Sequence, residues 1–310
     1  MVGGAGSRTG RAEVEEELRA EAFVPGHISG FFQPFLRKDP LRSGSRNCGP
    51  CTEAGVRTRV VIRRSGKIEV RINGRRSVAP TSRWVVERLL PEGWGATVNH
   101  TADVPVGAGF GASGAGALGT AMAIGSLLGL RREKAIAAAH QAEVVCRTGL
   151  GDVAAQACGG LVIGIRPGAP PHGMVKRIGI RGGVDIVCCT LGGIRTSSVL
   201  VEEEFISRAR RLGGEAMRRI LISPSLGGFL RISRWFAEGL GLMDREIREI
   251  CGIAEGAGAI GASQAMLGRT VFAFCRPAET GRVRRALTDA GLSVLLTRIS
   301  TEGGRVLRAQ

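Results

Sequence analysis

The chain contains no tyrosine, and aromatic residues make up only 4% of its 310 residues. Proteins that bind single-stranded nucleic acid usually stack the bases on aromatic side chains, so this composition argues against that class of protein. Lysine is scarce as well, because only Lys38, Lys67, Lys134 and Lys176 occur among 43 basic residues. Arginine therefore carries most of the formal net charge of +16. Such a charge favours anionic partners in general, among them nucleotides and small carboxylates, without choosing between them.

The sequence also lacks a long apolar run. Its most apolar stretch, 116–130, is shorter than the roughly 18 residues of a membrane span and is interrupted by glycines. The N-terminus has no apolar segment of the kind found in secretory signal peptides, so we expect a cytoplasmic protein with reduced cysteines. We expect neither a membrane nor a nucleic acid as a partner, and a homodimer is left open.

Cys48 and Cys51 have the C-x-x-C spacing of redox-active pairs. No βαβ unit begins there, and no second pair completes a set of four zinc ligands. We therefore expect both thiols to be small buried side chains.

Composition and patterning divide the chain into three parts. Residues 1–20 are glycine-rich and then charged, which is typical of a flexible tail. Residues 21–195 mix strands with glycine-rich turns, whereas 196–310 begin with three amphipathic helices. We place the boundary between two domains near residue 195.

Periodic apolar residues predict the individual elements. The expected strands are 57–64 and 67–73, joined as a hairpin by Ser65-Gly66, and then 95–101, 161–165, 184–191, 270–275 and 293–298. The expected helices are a short one after Pro80, and then 114–128, 131–147, 202–220, 225–240, 244–255 and 282–290.

The most informative segment is a glycine-rich turn, VPVGAGFGASGAG, between a predicted strand and a predicted helix. Glycines let the backbone approach a ligand, and free N–H groups at a helix start attract phosphate. The Ser113 hydroxyl is a further candidate ligand for phosphate or metal, and an ordinary packing turn is the alternative. No Lys-Ser/Thr follows the glycines, so this is not a Walker loop. The candidate phosphate-binding residues are Pro105, Gly107, Ala108, Gly109, Gly111, Ala112, Ser113 and Gly114.

Two carboxylates follow this turn. Asp152 lies in a second glycine-rich turn, where a carboxylate can approach a reacting hydroxyl as a general base or as an orienting group. Glu143 lies on the preceding predicted helix, and Mg²⁺ is usually held by one or two carboxylates together with substrate phosphates. The alternatives are a helix N-cap for Asp152 and a solvated side chain for Glu143.

Two N-terminal segments offer groups for a small anionic substrate. PGHISG displays His27 and Ser29, and DPLRSGSR supplies two guanidinium groups and two hydroxyls. Because a guanidinium group binds a carboxylate with two hydrogen bonds, the second segment suits a small carboxylic acid. A solvated basic loop and a structural histidine are the alternatives. The candidate substrate-binding residues are His27, Ser29, Arg42, Ser43, Ser45 and Arg46.

The order of these motifs resembles that of the GHMP kinase superfamily. PGHISG comes first, VPVGAGFGASGAG follows in the middle, and TGLGDVAAQACGG comes after two predicted helices. Within the superfamily the chain is similar to the archaeal pantoate kinases, through FVPGHISGFF, DPLRSGSR, ADVPVGAGFGASGAGALGTA and GASQAMLGRTVFAF. The resemblance covers roughly residues 20–310.

The resemblance implies an α+β fold with an N-terminal domain like domain 2 of ribosomal protein S5 and a C-terminal ferredoxin-like α/β domain. ATP would lie between them, with its triphosphate on the Gly107–Ser113 loop. Ser113 and Glu143 would hold Mg²⁺, and Asp152 would face the acceptor hydroxyl. The chain departs from the superfamily pattern at Ala112, where a serine is common, and in its third glycine-rich motif, GAGAIGASQ.

The implied activity is ATP-dependent phosphorylation of the 4-hydroxyl of pantoate, a step of coenzyme A synthesis. A kinase of the same superfamily with another acceptor, such as homoserine, shikimate or mevalonate, is the alternative. A non-catalytic RNA-binding protein is a more remote one, because aromatic residues are few and the basic residues are scattered.

Overall fold

The computed structural model describes residues 17–180, 182–193 and 203–310. Most of the predicted tail, up to residue 16, lies outside the described residues, as does the predicted domain boundary near residue 195. Residues 18–20 of the predicted tail belong to the first strand instead. Within the described ranges, no helix has the length and the apolar character that crossing a membrane requires.

Within the part of the chain that the structure describes, the strands form two sheets, and the larger one contains nine strands. They are β1 (Leu18–His27), β2 (Phe31–Phe35), β3 (Gly44–Arg63), β4 (Ile68–Ile72), β5 (Arg75–Arg76), β6 (Gly95–Ala102), β7 (Leu161–Arg166), β8 (Met174–Ile178) and the last strand, β13 (Arg305–Ala309). The main order is β13-β1-β3-β6-β4-β5, while β2 and β7 pair with β3, and β8 pairs with β7.

Four helices belong to this part of the chain, namely α1 (Pro80–Leu89), α2 (Ala112–Leu127), α3 (Arg132–Cys146) and α4 (Asp152–Cys158). Every residue of α2 from Gly114 to Gly125 is buried. Its alanines and glycines explain how a helix can lie so close to a sheet, because a Cβ atom at Gly119 would stand 2.5 Å from the Thr58 hydroxyl. The two helices that the sequence predicts around Gly129 are confirmed.

The predicted hairpin at Ser65-Gly66 is wrong. Strand β4 pairs in parallel with β6, and β6 lies between β3 and β4. The Lys67 carbonyl accepts a hydrogen bond from Ala96 N, and a Cβ atom at Gly95 would stand only 2.1 Å from that carbonyl oxygen. The turn therefore carries the chain past the start of β6, and pairing between distant strands overrides the local turn signal.

Strand β3 is much longer than predicted, because it has a first half, Gly44 to Cys51, of which residues 44–50 pair with β2 and β7. This half contains two glycines, a proline and two cysteines, which conceals a strand from pattern analysis. It also brings one face of β3 close to the glycine-rich loop.

The smaller sheet has the antiparallel order β10-β11-β9-β12. Its strands are β9 (Asp185–Gly193), β10 (Gly261–Gln264), β11 (Gly268–Cys275) and β12 (Val294–Arg298). The helices of this part are α5 (Glu203–Ile222), α6 (Leu226–Leu240), α7 (Arg245–Gly256) and α8 (Pro277–Asp289). The predicted amphipathic helices are confirmed by α5, α6 and α7.

A cluster of phenylalanines lies where the two parts of the chain meet. Phe31 of β2 packs against Phe229 and Phe236 of α6, with ring centroids 6.2 Å and 6.4 Å apart. Phe229 in turn stacks on Phe272 of β11 at 5.8 Å. This core continues from the larger sheet into the smaller one.

Strand membership bears on the domain boundary. Strand β9 precedes residue 195 and pairs within the smaller sheet, whereas β13 at the end of the chain pairs with β1. We propose that the two domains be divided by sheet, with β13 returning to the first of them.

Candidate active site

A cavity of about 420 Å³ lies where the two parts of the chain meet. Its walls come from the glycine-rich loop, the end of α3, the turn at 148–152, and side chains of β3. Met266 and Leu267, between β10 and β11, line it from the other side. Both halves of the chain therefore contribute to one site.

The glycine-rich loop has the backbone conformation that its composition predicts. Gly107, Gly109 and Gly111 have φ angles of 79°, 93° and 60°, which side chains with a Cβ atom rarely adopt. Gly111 is the N-cap of α2 and offers no side chain to the first N–H groups of the helix. Those groups lie at the cavity, where Ala112 and Ser113 form part of the wall. The loop is therefore built to receive an anion.

Three of the predicted phosphate-binding residues are not part of the cavity wall. Pro105 lies at the exposed start of the loop, and the buried Ala108 turns its carbonyl towards β11. Gly114 is buried inside α2. The other five residues of that prediction line the cavity.

Residues of the smaller sheet contact the glycine-rich loop and hold it in place. The Ala108 carbonyl accepts a hydrogen bond of 2.6 Å from the Thr270 hydroxyl. A Cβ atom at Gly268 would stand 2.3 Å from the same carbonyl oxygen, so only glycine fits there. Met266 N also donates to the Ser29 carbonyl at 2.9 Å. The segment after the third glycine-rich motif thus holds the loop from behind and adds two apolar side chains to the cavity.

Asp152 is the first residue of α4, and Gly151 is the N-cap of that helix without a side-chain hydrogen bond. The structure therefore excludes the N-cap role that the sequence left open for Asp152. Its Oδ1 atom lies 2.7 Å from Nδ1 of His27, whose side chain is fully buried. The Asp152 side chain itself is 22% exposed and lines the cavity. His27 thus holds the carboxylate by one oxygen and leaves the other free to act.

Glu143 is buried at the same cavity, with only 1% of its surface exposed. This burial excludes the alternative that Glu143 is a solvated side chain. Its Oε1 atom accepts a hydrogen bond of 3.1 Å from Ser113, and its Oε2 atom has no partner among the described residues. Burial, assisted by the negative charge of Asp152, raises the pKa of Glu143 well above its usual value.

A cation at this point would remove the cost of burying that carboxylate. The donor set is one carboxylate with an unpartnered oxygen and one hydroxyl, both facing a loop built for phosphate. Oxygen ligands shared between a carboxylate and a nucleotide are what Mg²⁺ prefers. The residues present therefore fit the metal that the sequence predicts.

Of the predicted substrate-binding residues, Ser29 and Ser45 line the cavity. Sequence reasoning missed Asn47, which follows Ser45 by two positions in β3 and so shares its face. Asn47 Nδ2 donates to the Gly151 carbonyl at 3.4 Å, next to Asp152. The alternation of side chains along a strand would have pointed to Asn47 if the sequence had predicted a strand here, but the predicted strand begins only at residue 57.

The other four residues of that prediction do not line the cavity. His27 is fully buried and contacts Asp152 instead. The Ser43 hydroxyl closes a turn by bonding both the N–H and the carbonyl of Arg37. The Arg42 side chain is 57% exposed and lies 3.6 Å from Asp39. Arg46 lies between Ser45 and Asn47 on the opposite face of β3, and its Nη1 atom donates to Gln33. No lysine or arginine of the described residues is part of the cavity wall.

The two cysteines of the C-x-x-C pair are fully buried, in two separate apolar clusters. Burial raises the pKa of both thiols well above the ordinary value, so neither supplies a thiolate. The expectation of small buried side chains is confirmed.

The chain matches two family models. GHMP kinases N terminal domain covers residues 82–160, from α1 through the glycine-rich loop to α4. GHMP kinases C terminal covers residues 207–292, which contain most of the helices of the second part. The fold is that of a GHMP kinase, as the sequence motifs predict.

Three similar proteins point to one particular kind of GHMP kinase. Pantoate kinase of Thermococcus kodakarensis is 32% identical, over 93% of this chain and 98% of that protein. Pantoate kinase of Methanospirillum hungatei is 33% identical, over 86% and 90%. A solved structure described as a phosphotransferase related to the CoA biosynthesis pathway superposes with a TM-score of 0.85 at 31% identity, covering 94% of this chain and 99% of that one. The chain therefore belongs to the pantoate kinase family of the GHMP kinases.

Proposed function

We propose that this chain transfers the γ-phosphoryl group of ATP to the 4-hydroxyl of pantoate, giving 4-phosphopantoate for coenzyme A synthesis. Membership of a kinase family implies ATP as the donor. One observation carries the proposal: Asp152, held by His27, faces the cavity that is also lined by an anion-binding glycine loop and by Glu143. These are the parts that phosphoryl transfer needs, namely a phosphate cradle, a charge-neutralising site and a group that orients the acceptor.

Phosphoryl transfer is catalysed mainly by positioning and by stabilising charge. The N–H groups at the start of α2 hold the phosphate oxygens, and the φ angles of Gly107, Gly109 and Gly111 let the backbone come close. Ser113 and Glu143 would hold Mg²⁺, which neutralises charge on the phosphates when it is bound.

Asp152 accepts a hydrogen bond from the acceptor hydroxyl and takes its proton as the phosphoryl group is transferred. The His27 contact fixes the carboxylate in one orientation, because the imidazole is buried and cannot turn away. No covalent intermediate with the protein is needed, since the acceptor itself is the nucleophile.

The acceptor subsite lies beside Asp152. A Cβ atom at the neighbouring Gly151 would stand 2.4 Å from the Ser45 hydroxyl and 2.8 Å from Asn47 Nδ2, so both polar groups reach this point. Together with Ser29 they are the candidates for binding the carboxylate and the second hydroxyl of pantoate. Phe32 and Leu150, which also line the cavity, suit its two methyl groups.

The decisive test is ATP consumption with pantoate, homoserine, shikimate or mevalonate supplied singly. We expect turnover with pantoate alone. Phosphorylation of another acceptor with none of pantoate would overturn the proposed substrate and leave the kinase assignment intact.

Asp152→Asn tests the catalytic assignment. We expect turnover to fall by roughly 10²-fold or more, the scale of a lost general base, while nucleotide binding survives. Asp185→Asn is a matched control, because it makes the same change at a carboxylate that is buried and bonds Thr280 and Arg298 away from the cavity. A folded Asp152→Asn enzyme with wild-type turnover would remove Asp152 from the mechanism.

A further inference from the structure

Gln156 lies one helical turn after Asp152 on α4 and is fully buried, with 0% of its surface exposed. It is not part of the cavity wall, so it has no direct access to a ligand there. Its Nε2 atom donates a hydrogen bond of 2.9 Å to the Gly111 carbonyl. Its Oε1 atom has no partner among the described residues. Burying an amide whose oxygen has no hydrogen-bond partner costs free energy of desolvation, so this position points to a specific role for the side chain.

The carbonyl that Gln156 contacts is the first of helix α2. The same oxygen accepts the first backbone hydrogen bond of the helix, from Ala115 N at 2.9 Å. Two donors on one carbonyl define the plane of the Gly111–Ala112 peptide. Because that peptide is planar and trans, its N–H group, which belongs to Ala112, must point away from Gln156.

The peptide needs an external constraint because of where it lies. Gly111 has a φ of 60° and no side chain, and it follows two more glycines with positive φ. Such a sequence has many accessible conformations and loses much backbone entropy when it is held in one. Ala112, whose N–H this peptide carries, lines the cavity.

The Gln156 side chain also packs closely against two glycines at the start of α2, Gly111 and Gly114. A Cβ atom at Gly111 would stand 3.0 Å from Gln156 Nε2, and one at Gly114 would stand 3.0 Å from Gln156 Oε1. The second of these points is also 3.0 Å from Glu143 Oε2. The amide is therefore wedged between the start of α2 and the buried carboxylate, with little freedom to move.

We propose that Gln156 is a positioning residue that orients the first N–H groups of α2 towards the nucleotide phosphates without touching the nucleotide. The proposal rests on the proposed function in one respect, that the glycine-rich loop binds the phosphates of ATP. It adds a residue that acts through the Gly111 carbonyl. It also predicts that loss of this residue weakens binding of the phosphates of the ligand and not of its nucleoside.

The test measures binding of ATP and of adenosine by calorimetry, with EDTA present so that no metal contributes. Gln156→Met removes the donor at nearly constant volume, and Gln156→Glu replaces the donor by an oxygen that faces the Gly111 carbonyl. We expect the Kd of ATP to rise about tenfold in the first variant and at least as much in the second, the scale of one lost hydrogen bond. The Kd of adenosine should stay within twofold, because adenosine has no phosphate.

Thr120→Val is the matched control. Thr120 is buried on α2, and its hydroxyl donates to the Gly116 carbonyl at 2.8 Å, beyond the loop. This variant also loses a buried side-chain bond to a backbone carbonyl, but we expect its Kd values for ATP and adenosine to be unchanged. A difference between the two positions separates loop orientation from general loss of stability.

An unchanged Kd of ATP in either folded Gln156 variant would overturn the proposal, and so would equal weakening of ATP and adenosine. If Gln156→Met does not fold, Gln156→Glu decides, and amide hydrogen exchange of residues 107–114 in that variant serves as a second readout. Exchange no faster than in the wild type would also overturn it. Since no acceptor is present, these results are independent of whether pantoate is the substrate.

Discussion

Acidification should destabilise this protein through one buried histidine that packs against α2. His100 lies on β6 with 4% of its surface exposed. Its Nδ1 and Nε2 atoms each lie 2.9 Å from a hydroxyl oxygen, of Thr58 on β3 and of Ser82 on α1 respectively. A Cβ atom at Gly116 of α2 would stand 3.3 Å from the ring. The ring therefore joins four elements of the fold, β6, β3, α1 and α2.

Burial lowers the pKa of His100 from 6.5 to about 4. In the unfolded chain the ring is protonated below about pH 6.5, whereas in the folded protein it stays neutral down to about pH 4. Stability is therefore complete above pH 6.5 and is lost as the pH falls, because the unfolded state binds the proton first. The two pKa values correspond to a loss of about 2 kcal/mol between pH 7.5 and pH 5, and of about 3 kcal/mol once both forms are protonated.

The measurement is the free energy of unfolding in urea at pH 7.5, 6.5, 5.5 and 5.0, for the wild type and for His100→Gln. Glutamine keeps polar atoms for the two hydroxyls but does not titrate. Other titrating groups contribute equally to the pH dependence of both proteins. Three arginines lower the pKa of Glu21 to about 2, so that residue affects stability only at more acidic pH. The raised pKa of Glu143 increases stability as the pH falls, which is opposite to the effect of His100. The difference between the two proteins thus isolates His100. Parallel pH profiles for both proteins would refute the reasoning.

Three further predictions concern the site. Glu143→Gln should raise the Mg²⁺ concentration for half-maximal rate, because a charged ligand candidate is lost; a magnesium titration with an unchanged midpoint would reduce Glu143 to a structural residue. Gly268→Ala should lower the melting temperature and weaken ATP binding, since its Cβ would collide with the Ala108 carbonyl at 2.3 Å; Gly281→Ala, with open space at the Cβ position, is the control. Arg42→Ala should leave the pantoate KM within twofold, because its guanidinium is exposed and lies near Asp39; a large rise would show that the segment at 39–46 closes on the substrate.

Local chemistry made part of this site predictable. The glycine-rich loop could be identified because positive φ angles require glycine, and the structure has such angles at Gly107, Gly109 and Gly111. Asp152 and Glu143 were identified from their place after turns and on a helix, and both line the cavity. Their proposed roles in catalysis and in metal binding stay predictions until they are tested.

Other features depended on which strands pair. The Ser65-Gly66 turn has the composition of a hairpin, but β6 occupies the place beside β3 and sends β4 to its far side. In β3, the alternation of side chains directs Ser45 and Asn47 into the cavity and Arg46 away from it. Because the predicted strand began only at residue 57, that alternation could not be applied to them.

The sequence by itself determined the superfamily, most of the helices and the chemistry of the loop, because these depend on short-range spacing and on backbone conformations that only glycine adopts readily. Tertiary structure decided which polar groups meet. His27 and Asp152 are 125 residues apart in sequence and 2.7 Å apart in space, and Gln156 reaches Gly111 across 45 residues. Such contacts follow from the packing of β1, α2 and α4 around one core, where burial selects the partners of each polar atom.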